Sequence, residues 1–375
     1  MTGQSKVFSR VVDKLEYNKK EREQGKDIVI PIPFPRLQEH FPGLEQATYY
    51  IVSGNQKSAK TQITDELFLY TPIDFIRNNN TNIDVKIFYF TLEMSKEAKI
   101  RQTICRRLYQ KKGIVLSPRK LQSLFSNYIL EDDILEFIKE DKEYFDFLES
   151  KVEFIDFTKN PFGIFKTVRD HFHANGEYIS KTGEVIPINL IEANTEEVNK
   201  TISHYRSTNP SLFTFIVVDH ISLIKEEKVN GVEQTLYEAI KKLSNDYLIT
   251  IRDRWGGIPV AVQQQNLDKE GNESMKMGTT EPSASGLADY KGTGKDCNVL
   301  FTIYSPFKNK IKEYNGYDIT LLKDNYRRLA IELDRNGSTC ETNLFFNGAV
   351  NFFQELPKPN EMTQVYNKIR NNQKI

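Results

Sequence analysis

The sequence predicts an α/β fold: a mostly parallel central sheet flanked by helices and finished by a C-terminal antiparallel hairpin. Three observations predict it. LFTFIVVDHISLI, from Leu212, is apolar on both faces, as a central parallel strand is. YIVSGNQKSAKT, from Tyr50, reads as a buried strand, a tight loop and the start of a helix. TNLFFNGAVNFFQEL, from Thr342, places Asn347-Gly348 between two apolar runs, a hairpin signature.

Composition bounds the class. A chain of 375 residues has room for one large domain with insertions. Lys+Arg and Asp+Glu are both 51, so a nucleic-acid partner has to be held by local patches, without a global positive field. Cys105, Cys297 and Cys340 are far apart and odd in number, which implies a reducing compartment and no structural metal. The first residues carry no apolar signal-peptide core and no stretch is long enough to span a bilayer, so the expectation is a cytoplasmic protein without a membrane partner.

Residues 1–30 form the first unit. Val7, Val11, Val12, Leu15 and Tyr17 fall near one side of a helix over 5–24, followed by a linker in which Pro31, Pro33 and Pro35 forbid helix. The helix packs either on its own domain or on a neighbouring copy. Residues 31–356 form the second unit, with an insertion at about 100–210, and residues 357–375 are expected to be a loose basic tail.

From Gly54 to Thr61 the chain follows the phosphate-loop pattern G-x-x-x-x-G-K-[ST]. In that pattern backbone N–H groups of Asn55, Gln56, Lys57, Ser58 and Ala59 wrap phosphates, Lys60 reaches the outer phosphates, and the Thr61 hydroxyl binds Mg2+. Ala59 replaces the second glycine; with the chain turning into helix there, alanine is expected to be accommodated at some cost in nucleotide binding. After the strand VKIFYF, Glu93 is placed to accept a proton from attacking water, or to cap the helix that starts near Ser95.

Residues 113–150 read as outer helices, VEFIDF as a strand, and the stretch around Lys181-Thr182-Gly183-Glu184 as an inserted β-ribbon. Asp219 ends the most apolar strand, where a carboxylate holds Mg2+ through water. A helix is expected from Val232 to Trp255, then IPVAVQQQ, whose glutamines Gln263, Gln264 and Gln265 are either a plain polar strand end, the commoner outcome, or supply one contact to a γ-phosphate. VLFTIYSP, YDITLL and LAIELDR read as further strands, with a turn at Arg335-Asn336-Gly337.

These motifs in this order argue for a RecA-like core, and the chain resembles the C-terminal motor domain of DnaB-type replicative helicases. The resemblance covers roughly Ile32 to Leu356, and FTLEMSKE is its most specific piece. It implies ATP or another NTP with Mg2+ at Lys60 and Thr61, Glu93 as the base that orients water, Asp219 as the Mg2+ carboxylate, Gln265 as γ-phosphate sensor, and Arg335 as an arginine finger acting in the next subunit. It also implies a homo-oligomer, a hexamer, moving on single-stranded DNA that faces the loop 267–288, the helix 5–24 as a linker helix on the neighbouring subunit, and a primase or helicase loader as partner. The setting is a cellular or phage replisome.

Four features depart from the family. Ala59 stands for glycine, Leu333 stands where a lysine often precedes the finger, a basic residue is lost at Ala288, and the large primase-binding N-terminal domain is missing. They keep two other functions in view: a RecA-like adaptor or assembly protein that binds nucleotide weakly, and a RecA-like recombinase.

Overall fold

The computed structural model describes residues 6–193, 196–229, 231–266 and 280–371. The central sheet has nine strands: β1 (Tyr50–Gly54), β2 (Asp84–Thr91), β3 (Val152–Ile155), β4 (Leu212–Asp219), β5 (Ile258–Gln264), β6 (Val299–Tyr304), β7 (Tyr326–Asp334), β8 (Cys340–Asn347) and β9 (Phe352–Glu355). Their order is β9-β8-β7-β6-β1-β5-β4-β2-β3. From β6 through β3 all neighbours are parallel, and from β6 through β9 all are antiparallel.

Period-two alternation explains why β1 is central. Tyr50 and Val52 join one buried cluster with Phe68, Phe215 and Phe301, whereas Tyr49 and Ile51 join a second with Val218, Ala261 and Leu300 on the other face. Both faces are covered by helices, so the strand is apolar throughout. Because six strands run the same way, all their C-terminal ends open on one end of the sheet, where ligands of open α/β folds bind.

Several elements differ from expectation for local reasons. Residues 122–130 are not helical: Ser123 adopts a left-handed φ of 53°, and its hydroxyl accepts the Leu130 N–H at 2.9 Å, closing a loop. The helix expected from Val232 begins instead at Leu236, where Thr235 and Glu238 form a capping box, and Lys228–Val229 pairs with Val232–Glu233 as a small hairpin. YDITLL adds no strand to the sheet, because Asp318 caps a short helix, Ile319–Leu322, by accepting the N–H groups of Thr320 and Leu321.

The expected ribbon forms between Gly176–Ser180 and Val185–Ile186, and Ile202–Ser207 adds a third strand. Residues 358–371 pack on the domain: Met362, Val365, Tyr366 and Ile369 recur at helical spacing and cover Tyr317, Ile319 and Leu322. Among the described residues no helix is long and apolar enough to cross a membrane.

Candidate functional site

The loop after β1 is a cradle fixed from several sides. A Cβ on Gly54 would lie 2.5 Å from the Ile303 carbonyl and 2.6 Å from the Ser58 hydroxyl, so only glycine fits. Lys57 and Ala59 both have positive φ, 55° and 79°, a backbone that gathers N–H groups into an anion-binding concavity. Ala59 is therefore not yet helical, contrary to expectation: it is the left-handed N-cap, and the helix starts at Lys60.

From β7 the buried Arg327 guanidinium donates to the Ser58 carbonyl at 2.9 Å, and Lys308 donates to the Lys57 carbonyl. Lys60 is buried, with Nζ on the Asn55 carbonyl at 2.8 Å. Among the described residues Asn55 Oδ1 and Ser58 Oγ are buried with no hydrogen-bond partner. Buried polar atoms are ordinarily satisfied, so the cradle has unmet capacity for a polar, anionic group.

Beneath the cradle the Thr61 hydroxyl donates to Asp219 Oδ1 at 3.1 Å, bringing together the two residues read as Mg2+ ligands. A hydroxyl beside a carboxylate at a strand end suits a hard divalent cation. Asp219 Oδ2 lies 3.5 Å from Lys99 Nζ and 3.3 Å from the Tyr89 hydroxyl. Lys99 in turn donates to both Asp65 oxygens, at 2.8 and 3.1 Å, with both side chains fully buried. Burial pushes the Asp65 carboxyl above its ordinary range, opposed by Lys99 and by the Tyr89 hydroxyl.

The helix Lys96–Lys112 continues this contact as rungs. Thr103 meets the Tyr70 hydroxyl at 3.1 Å, and Arg106 forms a two-pronged pair with Glu66 at 2.6 and 3.0 Å. Glu66–Tyr70 is a π-turn inside the cradle helix. Lys99, Thr103 and Arg106 recur at i, i+4 and i+7, and that polar stripe was the sequence signal for this network.

Lys60, Thr61, Glu93, His220 and Gln264 share the lining of one cavity of about 300 Å3 beside the cradle. Glu93 is exposed, and its Oε2 lies 4.0 Å from His220 Nε2. Burial holds His220 below its ordinary pKa, against the pull of Asp219 and Glu93. Gln265, given the sensor position by resemblance, faces elsewhere. Its Nε2 donates to Ser53 Oγ at 2.9 Å and its Oε1 accepts the Ser283 N–H at 3.1 Å. Strand alternation is the reason: Gln263 and Gln265 turn to one side and buttress residues 283–293, while Gln264 turns into the cavity.

Arg335 lies at the other end of the sheet. Asp334 pairs with Val299, which is level with Tyr50 at the start of β1, so Arg335 and the cradle are separated by the length of the strand. Its exposed guanidinium donates to the carbonyls of Cys297, at 2.8 Å, and Lys295. Leu333 packs on the core of one sheet face. Of the loop 267–288, residues 267–279 lie outside the described residues. Ala288 donates its N–H to the Gln264 carbonyl at 2.9 Å, tying the end of that loop to the cavity.

No family model matches the sequence, and no curated protein does. Solved structures do. The ATPase domain of a DnaB-like helicase matches with a TM-score of 0.62 over 95% of this chain and 100% of its own, at 15% identity. The chain has the fold of a DnaB-like helicase ATPase domain. A second structure, that of a DnaB-like replicative helicase and its interactions with primase, matches with a TM-score of 0.62 at 14% identity, over 95% of this chain and 68% of that one. The DnaB-like fold covers the sheet, its flanking helices and the antiparallel strands at the C-terminal end.

Proposed function

We propose that the chain is an NTP-driven DNA helicase of replicative type that hydrolyses nucleotide at the interfaces of a ring, a hexamer, and moves on single-stranded DNA. One observation carries the reading. Lys60, Thr61, Glu93 and Gln264 line one cavity at one end of the sheet, while the exposed cation expected to complete such a site, Arg335, is at the other end. A cavity of about 300 Å3 is at the small end for a ligand site, which suits a site shared between two copies.

Lys60 and the N–H groups of residues 55–59 hold the β and γ phosphates. Thr61 and Asp219 would hold Mg2+, which neutralises charge on the phosphate oxygens when bound. Glu93 orients water for in-line attack and accepts its proton; Gln264, in place of Gln265, senses the γ-phosphate. Arg335 of the adjoining copy stabilises charge developing on the transferred group. The helix Lys6–Glu23 exposes Val11 and Leu15 and serves as the strap onto the neighbour. A primase or a helicase loader is the partner class this reading implies.

The strained Ala59 favours a second reading, in which nucleotide binds and organises an assembly without turnover. NTPase rates with and without single-stranded DNA, alongside Lys60→Ala, separate the two. The motor reading expects DNA-stimulated turnover that falls on the order of 10²-fold or more in the variant. Folded wild-type protein with no turnover under either condition leaves only the second.

A further inference from the structure

A groove next to the nucleotide cavity combines exposed aromatic rings with lysines. After β3 the chain enters the helix Pro161–Ala174, leaving Phe157 79% and Phe162 47% exposed. Both rings line an open groove of about 620 Å3 together with Lys159, Lys225 and Lys228. An isolated exposed apolar ring needs no account, but two rings sharing a groove with lysines offer both the stacking faces and the cations by which single strands are held.

The floor is rigid and its acidity is largely spent. Glu227 accepts from Asn160 Nδ2 at 2.7 Å, from the Phe162 N–H at 2.7 Å and from Lys242 Nζ at 3.0 Å. Those bonds join the loop 225–228 to the start of the helix, and Glu226 is the other carboxylate of the groove. The exposed Lys225 and Lys228 set its outward charge. An apolar protein partner would instead want a contiguous dry patch, which four lysines interrupt.

The groove also touches the hydrolytic machinery. Lys159 Nζ donates to the carbonyl of Leu92, the residue before Glu93, at 3.0 Å. The Leu92 N–H donates to the Asp219 carbonyl at 2.8 Å, and the Lys225 N–H to the Lys159 carbonyl at 2.9 Å. A strand lying on the groove would press on a backbone that carries both Glu93 and Asp219.

We propose that this groove holds single-stranded nucleic acid, with bases stacked on Phe157 and Phe162 and phosphates at Lys225 and Lys228. The proposal rests on the motor reading and gives the strand a seat outside the loop 267–288. The probe is a fluorescein-labelled oligothymidylate, titrated with the full chain by anisotropy over a range of salt.

Phe157→Ala with Phe162→Ala is expected to weaken binding about tenfold or more, as loss of base stacking does, with an unchanged salt slope and an unchanged melting temperature. Lys225→Gln with Lys228→Gln is expected to flatten the slope of log K against log salt by about 1.4, near 0.7 per phosphate. Aromatic restoration, Phe157→Trp, should keep the affinity. Wild-type affinity in the double phenylalanine variant, or an unchanged slope in the lysine variant, overturns the groove and leaves the motor reading standing. Wild-type protein that binds no oligonucleotide, with or without a nucleotide analogue, overturns both.

Discussion

The two ends of the central sheet follow opposite plans. At the C-terminal ends of the parallel strands the polar side chains beneath the cradle are interlocked: half-buried Thr61 joins the buried Asp219, Lys99 and Asp65 in a continuous chain, and Arg327 pins the cradle from behind. At the N-terminal ends the chemistry faces outward. Arg335 is exposed, the first helix shows Leu15 62% exposed, and a cleft of about 840 Å3 opens between that helix, the ribbon and Arg254. The C-terminal end holds the cradle for a small charged ligand beside the exposed groove of Phe157 and Phe162, and the N-terminal end presents the exposed Arg335. Copies that meet head to tail put unlike ends together, and such contacts close into rings or run on as filaments.

The sharpest way to break this comparison is to disable one end at a time. Arg335→Ala should lower nucleotide turnover by about 10³- to 10⁵-fold if the cation completes a neighbour's site. Stability should fall by only about 1–2 kcal/mol, from the lost hydrogen bonds to the Cys297 and Lys295 carbonyls. Mixing Arg335→Ala and Lys60→Ala proteins before assembly should restore a measurable fraction of turnover, because some interfaces then join an intact cradle to an intact arginine. Steady-state assays of the mixture that stay at the level of the separate variants would mean that the two ends do not meet.

The second test acts on stability in place of turnover. Lys99→Met leaves Asp65 and Asp219 buried without their cation, and breaking a buried pair of this kind costs about 3–5 kcal/mol. Urea denaturation should show that loss, and adding Asp65→Asn should recover part of it. A Lys99→Met protein as stable as the wild type would mean that the C-terminal end is less tightly wired than its geometry implies.

Much of this was legible in the sequence, for identifiable reasons. Strands apolar on both faces announced a parallel sheet, and Gly54, Lys60 and Thr61 announced the cradle because a phosphate loop is a local, contiguous device. What escaped were features set by long-range packing. Lys99 did not stand out: its stripe with Thr103 and Arg106 marks a polar helix face, but nothing local shows that Asp65 lies across from it. The choice among Gln263, Gln264 and Gln265 turned on strand parity, which shifts by one residue with the assumed strand end. The tail's four apolar positions, Met362, Val365, Tyr366 and Ile369, did carry a helical period, but its lysines masked it.

The smallest expected effect tests the cradle itself. Ala59 holds φ 79° and ψ 36°, a conformation that costs an L-residue about 1–2 kcal/mol. Glycine removes that strain but gives up roughly 0.5–1 kcal/mol to its freer unfolded chain, so Ala59→Gly should stabilise the protein by no more than about 1 kcal/mol. The residue that closes the 96–112 helix supplies the matching control: Gly113 sits at φ 70°, and Gly113→Ala should cost a similar amount. Urea midpoints for both variants, with affinity for a fluorescent nucleotide analogue for the first, decide the matter. A midpoint that falls in Ala59→Gly while Gly113→Ala also loses stability would show that the Ala59 methyl makes contacts outweighing its backbone strain. The alanine would then be a built part of the receiving end, adapted to its place in the cradle.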